Sequence, residues 1–313
     1  MNFKARVFSG RSNPDLSCKI NEILGMSLGK ISLKNFSDGE IWVRFEENIR
    51  GVDIFIVQST NPPAENILEL LLIIDAAKRA SARRITAVIP YYGYARQDRK
   101  DQPRVPISAR LFMDTIVSAG ADRIVAMDLH STQIQGFVNI PFDHLYAKSI
   151  FLDHLKEITT NREYTVVAPD VGGIKLARSY AKILGASLTI IDKRRPGPNE
   201  AEVMNIIGKT RIKNALVIDD IIDTGGTVIQ ASKLLEKGGC ESIIVLATHG
   251  LFSGQCISRI MESPIDKVIV SNSISITPER KFPKLEIISA APILAEAITR
   301  IHKEESISSL FEF

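Results

Sequence analysis

Cysteine is scarce in this chain of 313 residues. Cys18, Cys240 and Cys256 are odd in number, far apart and without C-x-x-C spacing. That pattern argues against a disulfide framework and a zinc site, and it fits a reducing, cytoplasmic setting. Long apolar runs are also missing: the most apolar segment, ILELLLIIDAAKRA, is broken by Glu69, Asp75 and Lys78. The opening MNFKARVFSG has no apolar core of signal-peptide length. A soluble protein is expected, with no membrane as partner. Nor does either charge dominate. A net charge of +3 and a pI near 8.7 are too weak for a nucleic-acid protein, which concentrates a basic stripe, so anionic small molecules are the partners left in view.

What is present is a globular composition, 45% apolar and 24% charged. The length exceeds what one hydrophobic core usually organises, so two domains are expected. Short β-branched runs recur: DIFIVQ, ITAVIP, RIVAMDL, YTVVAP, LTIID, ALVID, SIIVLAT and KVIVSN. Each is continuous rather than alternating, as in strands buried on both faces of a parallel sheet. Between them lie helically spaced stretches punctuated by Pro, Asn, Gly or Thr, among them NILELLLIIDAAKRASA and TGGTVIQASKLLEKGGC. The alternation predicts an α/β protein. A weak repeat, ADRIVAMDLHSTQIQGF (121–137) against CESIIVLATHGLFSGQC (240–256), suggests two similar halves. The boundary is expected near residue 147, where Pro141 and a polar cluster interrupt the strand pattern.

The densest chemistry lies in LVIDDIIDTGGT, Leu216 to Thr227. Asp219 and Asp220 close a buried strand, at the end where open α/β sheets place their ligands. Thr224, Gly225, Gly226 and Thr227 then lead into TVIQASKLLEKG, so backbone N–H groups and two hydroxyls converge at a helix N-terminus, a cradle suited to phosphate. Carboxylates beside that cradle accept hydrogen bonds from sugar hydroxyls. A phosphorylated sugar is the expected ligand, with Asp223 as the third acid. The bland alternative is a capped loop and a plain turn, but three acids beside a buried strand end are electrostatically costly without a ligand or metal.

The stretch resembles the ribose 5-phosphate motif of the phosphoribosyltransferase fold. FSDGE (36–40), GYARQDRK (93–100), DLHSTQIQGF (128–137), PDVGG (169–173) and DKRRP (192–196) stand in the order found in ribose-phosphate diphosphokinases, and the resemblance extends to the terminal ESISSLFE. It implies two tandem phosphoribosyltransferase-like, Rossmann-like domains, each with a mainly parallel central sheet flanked by helices. The first, 1–147, is to bind ATP and make subunit contacts. The second, 148–313, is to carry the ribose 5-phosphate and diphosphate loops, with the last ~20 residues packing back on the first.

The implied reaction moves the β,γ-diphosphoryl group of ATP to the 1-hydroxyl of ribose 5-phosphate, releasing AMP, for nucleotide biosynthesis. Such chemistry needs positioning and cation clamps more than covalent help. By resemblance, Lys193 and Arg195, in a loop with Pro196, Gly197 and Pro198, form that clamp, and Arg195 also reaches ribose 5-phosphate. Standing alone, KRRP reads as a solvated basic turn. Asp170, Gly172, Gly173 and Lys175 form the implied diphosphate loop, where some members carry a basic residue in place of Leu176. His130 and Asp170 are the implied Mg²⁺ residues, although a hard cation prefers oxygen ligands and a lone strand-end histidine is more often structural. Its counterpart in the repeat, His249, reads as a structural strand-end residue.

Phe36, Asp38, Gly39, Glu40, Arg96 and Gln97 are the implied ATP residues, with the Arg96 guanidinium suited to stacking on adenine. In the family FSDGE comes from a neighbouring subunit, which implies a homo-oligomer, usually a hexamer, activated by inorganic phosphate and inhibited by ADP. Two other readings stay open: a regulatory relative that only binds nucleotides, and a transferase that consumes phosphoribosyl diphosphate with a base. Lys193, Arg195, His130 and Asp170 count against the first. FSDGE, GYARQDRK and the doubled length count against the second.

Overall fold

All five residues of Asp53–Val57 are buried, which a strand achieves where both faces of its sheet are covered. The structure, a computed structural model, describes residues 4–160, 162–194 and 203–310. The chain divides into two units, and the first comprises Met1–Ala147, Ser273–Ser275 and Ser289–Glu312. In it β1 (Ala5–Ser9) is followed by a separate antiparallel hairpin, β2 (Ile31–Asn35) and β3 (Ile41–Phe45). Then come β4 (Asp53–Val57), β5 (Arg84–Ile89), β6 (Arg123–Met127) and β7 (Phe142–Leu145). β1, β4, β5, β6 and β7 form one parallel sheet in that order. The stretch after Pro141, expected to break the strand pattern, is itself β7. Its Phe142 and His144 pair with Ile124 and Ala126, because its backbone completes the second edge of β6.

Helix signals in the sequence act locally. α1 (Pro14–Leu24) starts where the Asn13 side chain accepts the Leu16 N–H at 3.3 Å, and it stops at Gly25, φ +64°. α2 (Glu65–Arg79) buries Ile67, Leu70, Ile73, Ile74 and Ala77, spaced three and four apart on one face. Leu70, Ile73, Ile74 and Ala77 pack with Ile54, Ile56, Ile85 and Ala87 of the sheet, and α3 (Ser108–Ala119) adds Ala109, Met113 and Ile116. The hairpin covers this core with Ile31, Leu33, Val43 and Phe45, the last edge-on to Phe8 with ring centres 4.8 Å apart.

The second unit comprises Lys148–Asn272 and Ile276–Ile288. Its strands are β8 (Tyr164–Ala168), β9 (Ser187–Arg194), β10 (Val203–Gly208), β11 (Asn214–Ile222), β12 (Ser242–Gly250), β13 (Lys267–Ser271) and β14 (Leu285–Ile288). The sheet order is β10-β9-β8-β11-β12-β13-β14, parallel throughout except for β9 with β10. Its helices are α4 (Lys148–Thr159), α5 (Ile174–Leu184), α6 (Gly226–Lys237) and the short α7 (Cys256–Met261). α8 (Ala291–Lys303) returns to the first unit and packs beside α1. Successive connections leave β8 toward β9 on one side and β11 on the other. The strand order therefore reverses between β8 and β11, and such a switch point opens a crevice at the carboxyl ends.

One expectation needs correction. The strand LTIID is expected to end at Asp192 with Lys193 in the loop that follows, but β9 continues through Lys193 and Arg194, since the antiparallel β10 supplies partners Met204 and Val203. A strand pairing with a later segment is invisible to a scan for isolated runs.

Candidate functional site

The switch point is built by register. β11 pairs with β8 only as far as Val217 opposite Val167, while on its other side it runs with β12 to Ile222 opposite Gly250. Asp219 and Asp220 thus lie where β11 has lost one neighbour and kept the other. Into the gap comes the loop after β8, which carries Asp170, Gly172 and Gly173. Asp170 Oδ1 accepts the Gly173 N–H at 3.0 Å, folding the loop back onto itself. A Cβ on Gly172 would stand 3.2 Å from that same oxygen, and one on Gly173 would stand 3.7 Å from the Ile218 carbonyl. Both positions keep the backbone close to β11 and to Asp170.

Three acids meet here. Burial pushes the Asp219 carboxyl well above the ordinary carboxylate range; the charge of Asp220, a hydrogen bond with it and the charge of Asp170 push further the same way. Asp219 Oδ1 also accepts the Asp220 N–H at 3.0 Å, a smaller opposing effect. Positive charge or hydroxyl donors placed beside Asp219 would favour its ionised form.

Asp223, Thr224 and Gly225 join β11 to α6. α6 starts at Gly226 and not at Thr227 as expected, so Gly226 and Thr227 form its first turn. Gly225 adopts φ +73°, and a Cβ there would lie 2.9 Å from Cys256 Sγ and 3.1 Å from Ile229 Cδ1. Both conformation and crowding demand glycine. The backbone is held from behind: Ser253 N–H donates to the Asp223 carbonyl at 2.9 Å, and Arg259 Nη1 donates to the Thr224 carbonyl at 3.4 Å. The buried Cys256 thiol is pushed up to about 11, chiefly by burial, with Arg259 opposing and Asp223 adding to the rise. That thiol stays protonated and serves as packing. Arg259 and Cys256 were missed by the sequence reading; the repeat aligning Phe137 with Cys256 marked the segment but not its role.

Lys175 is exposed in the first turn of α5, while Leu176 is half-buried. Lys193 has its backbone on β9, and Arg195 lies outside the described residues. His249, expected at a strand end, is the last residue but one of β12, buried and opposite Ile221.

In the first unit Phe36, Asp38, Gly39 and Glu40 form the tip of the β2–β3 hairpin. Phe36 N–H donates to the Glu40 carbonyl at 2.8 Å, Gly39 N–H to the Phe36 carbonyl at 3.0 Å, and Glu40 N–H to Asp38 Oδ1 at 3.0 Å. Gly39 has φ +97°, and the Phe36 side chain is 55% exposed, a large apolar surface for a hairpin tip. Arg96 is exposed on the loop between β5 and α3. Its neighbour Gln97, also exposed, is held by three hydrogen bonds: its N–H donates to the Tyr94 carbonyl, its carbonyl accepts from Ala109, and its Oε1 accepts the Ser108 hydroxyl. Gly93 admits this loop, since a Cβ would come 2.1 Å from the Thr60 carbonyl. His130 is exposed beyond β6, after Asp128, whose φ of +37° re-aims the chain while Leu129 N–H donates to His144 Nε2 at 2.9 Å.

Among the described residues no three His, Cys, Asp or Glu side chains converge to hold a metal ion by themselves, and no helix is long and apolar enough to cross a membrane. Comparison with known proteins adds a family. The chain matches the family models described as the N-terminal domain of ribose phosphate pyrophosphokinase, over residues 5–120, and as the phosphoribosyl synthetase-associated domain, over 194–312. It is 53% identical to a ribose-phosphate pyrophosphokinase of Chlorobaculum tepidum, covering 98% of this chain and 95% of that one. Identity to the protein of that name from Caldanaerobacter subterraneus subsp. tengcongensis is 50%, covering 98% and 97%. A crystal structure of phosphoribosylpyrophosphate synthetase from Mycobacterium smegmatis superposes with a TM-score of 0.91 at 40% identity, covering 96% of this chain and 99% of that one.

Proposed function

The chain belongs to the ribose-phosphate pyrophosphokinase family, and from that premise we propose that it forms 5-phosphoribosyl 1-diphosphate and AMP from ATP and ribose 5-phosphate, with its residues divided as follows. The observation that carries the reading is Asp219, pushed well above the ordinary carboxylate range beside Asp220 near the end of β11, with the Gly225 turn into α6 following a few residues later. Diol acceptors beside a phosphate cradle fit a phosphorylated pentose. Amides and hydroxyls of Thr224, Gly225, Gly226 and Thr227 hold the 5-phosphate at the α6 N-terminus. Asp219, Asp220 and Asp223 accept from the ring hydroxyls, and Arg195 adds a cation. Asp170, Gly172, Gly173 and Lys175 receive the diphosphate. ATP is held by Phe36, Asp38, Gly39 and Glu40 of a neighbouring subunit with Arg96 and Gln97.

In the reaction the 1-hydroxyl oxygen attacks the β-phosphorus, the bond from that phosphorus to the α–β bridging oxygen breaks, AMP leaves with the bonding pair, and the hydroxyl proton is lost. Lys193 and Arg195 stabilise charge spreading over the transferred group. Mg²⁺ is the cofactor, neutralising the phosphate charge when bound. Asp170 would hold it with His130, which acts through water or phosphate, since a hard cation prefers oxygen ligands. A cytoplasmic homo-hexamer activated by inorganic phosphate and inhibited by ADP completes the proposal.

The test is product identity. With ATP, ribose 5-phosphate, Mg²⁺ and inorganic phosphate, AMP forms only when the sugar phosphate is present. ADP in its place means an ordinary kinase and overturns the assignment.

A further inference from the structure

The hairpin that carries Phe36 is pinned at both ends by arginines from the β1 segment. At its base, Glu47 Oε1 accepts the Lys30 N–H at 2.7 Å and Glu47 Oε2 faces Arg6 Nε at 3.4 Å. At its tip the connection reaches into the core. Glu69 on α2 is 1% exposed; its Oε1 accepts the Arg11 N–H at 2.6 Å and Gln58 Nε2 at 3.1 Å, and its Oε2 accepts Arg11 Nε. The same guanidinium donates from Nη1 to Asn35 Oδ1 at 2.6 Å, and Asn35 Nδ2 donates to the Gly39 carbonyl at 3.0 Å. Gly10 makes the approach possible, since a Cβ there would fall 2.2 Å from Gln58 Oε1.

A planar guanidinium with donors on two edges can hold a buried carboxylate with one and a surface amide with the other, which a point-charge ammonium cannot. Asn35 lies at an exposed strand end. Its orientation is set by Arg11 on one side and Gly39 on the other. We propose that Arg11 is a positioning residue for nucleotide recognition: anchored on Glu69, it fixes Asn35 and through it the Gly39 carbonyl, so that Phe36, Asp38 and Glu40 are presented in one orientation. The inference rests on the nucleotide reading of the tip given above. It assigns this chain's relay, Glu69 to Arg11 to Asn35 to Gly39, a part in ATP affinity and none in turnover.

The experiment compares Asn35→Ala, Arg11→Lys, Arg6→Ala and Phe36→Ala in steady-state kinetics, with amide hydrogen exchange over residues 36–40. Asn35→Ala and Arg11→Lys should each raise KM for ATP about fivefold, as loss of one or two net hydrogen bonds predicts. Their kcat and KM for ribose 5-phosphate should stay within about twofold of the parent, and the tip amides should exchange faster. Arg6→Ala loosens the base alone and should leave KM for ATP unchanged. If it raises that KM as much as Asn35→Ala does, general loosening explains the effect and the relay is overturned. If Phe36→Ala raises KM for ATP but Asn35→Ala and Arg11→Lys do not, the relay fails while the nucleotide reading stands. If none of the three raises it, the tip does not bind nucleotide and both fail.

Discussion

Asp53 and Asp219 are two carboxylates in matching sheets, one at the entry of a parallel strand and one near the exit. Asp53 opens β4, fully buried, and is held by Arg84 Nη2 at 2.8 Å, Arg83 Nη1 at 3.4 Å and the imidazole nitrogen His302 Nδ1 at 2.9 Å. Arg84 Nη2 also donates to the Ile301 carbonyl at 3.0 Å, so the cluster fastens the end of α8 to the first unit's sheet. Asp219, near the end of β11, faces Asp220 and Asp170 instead. The first cluster joins opposite charges and makes a joint. The second crowds like charges around one carboxylate, the feature on which the sugar-phosphate reading rests. Parallel sheets encourage this division, since crossovers cover the entry ends and leave the exit ends for binding.

Removing each acid should separate the two roles, beginning with the larger effect. Asp53→Ala leaves the partly buried Arg84 and Arg83 without their carboxylate, and stability should fall by about 2–3 kcal/mol in urea unfolding, with KM for ribose 5-phosphate unchanged in the folded fraction. Equal stability to the parent would mean that the cluster holds nothing. Asp219→Asn should do the reverse. Losing charged acceptance of sugar hydroxyls should weaken ribose 5-phosphate binding about 10- to 100-fold by calorimetry. The unliganded protein should be as stable as the parent or more so, because a carboxylate crowded by like charges has been removed. A destabilised Asp219→Asn with intact affinity would merge the two classes of acid.

Protons sharpen the contrast. Because the Asp219 pKa is raised on folding, the native state binds more protons than the unfolded chain between the ordinary carboxylate value and the raised one. The contribution of this group to stability therefore falls as pH rises through that window. Hydroxyl donors favour the ionised form, so ribose 5-phosphate binding should release protons there, and affinity should drop as pH is lowered through it. Calorimetry in two buffers of different ionisation enthalpy measures the release. Asp219→Asn should abolish it, and release unaltered in that variant would place the titration on another group.

The exit cluster was largely legible in sequence, because Asp219, Asp220, Asp223 and the Thr224–Thr227 turn are contiguous and each residue type has a local reason to be there. That Asp170 joins them depends on β8 and β11 being neighbours across the switch point, a property of sheet order that no local window carries. The Asp53 joint was illegible for the same reason: His302 is nearly the whole chain away, and neither residue differs in its own segment from a solvated charge. Short strands hid too. β7 and β10 are strands because partners await them, and β10 carried β9 past Asp192 to include Lys193. Phe36 was readable as an aromatic in a turn, whereas Arg11 on Glu69 needed the fold.

The mildest test asks whether the joint at Asp53 depends on all its partners or mainly on the arginines. His302 contributes one ring nitrogen and its side chain is partly exposed, while Arg84 reaches both the carboxylate and the Ile301 carbonyl. Replacing His302 by Leu removes one hydrogen bond from a carboxylate that keeps two guanidinium partners. The expected cost is about 1 kcal/mol, well below that of Asp53→Ala. Hydrogen exchange should localise it, with the amides at the end of α8 opening more often and those of β4 unchanged. If His302→Leu costs as much as Asp53→Ala, the histidine and not the arginine pair is what the carboxylate is there to hold, and the joint becomes a device of the C-terminal helix rather than of the sheet.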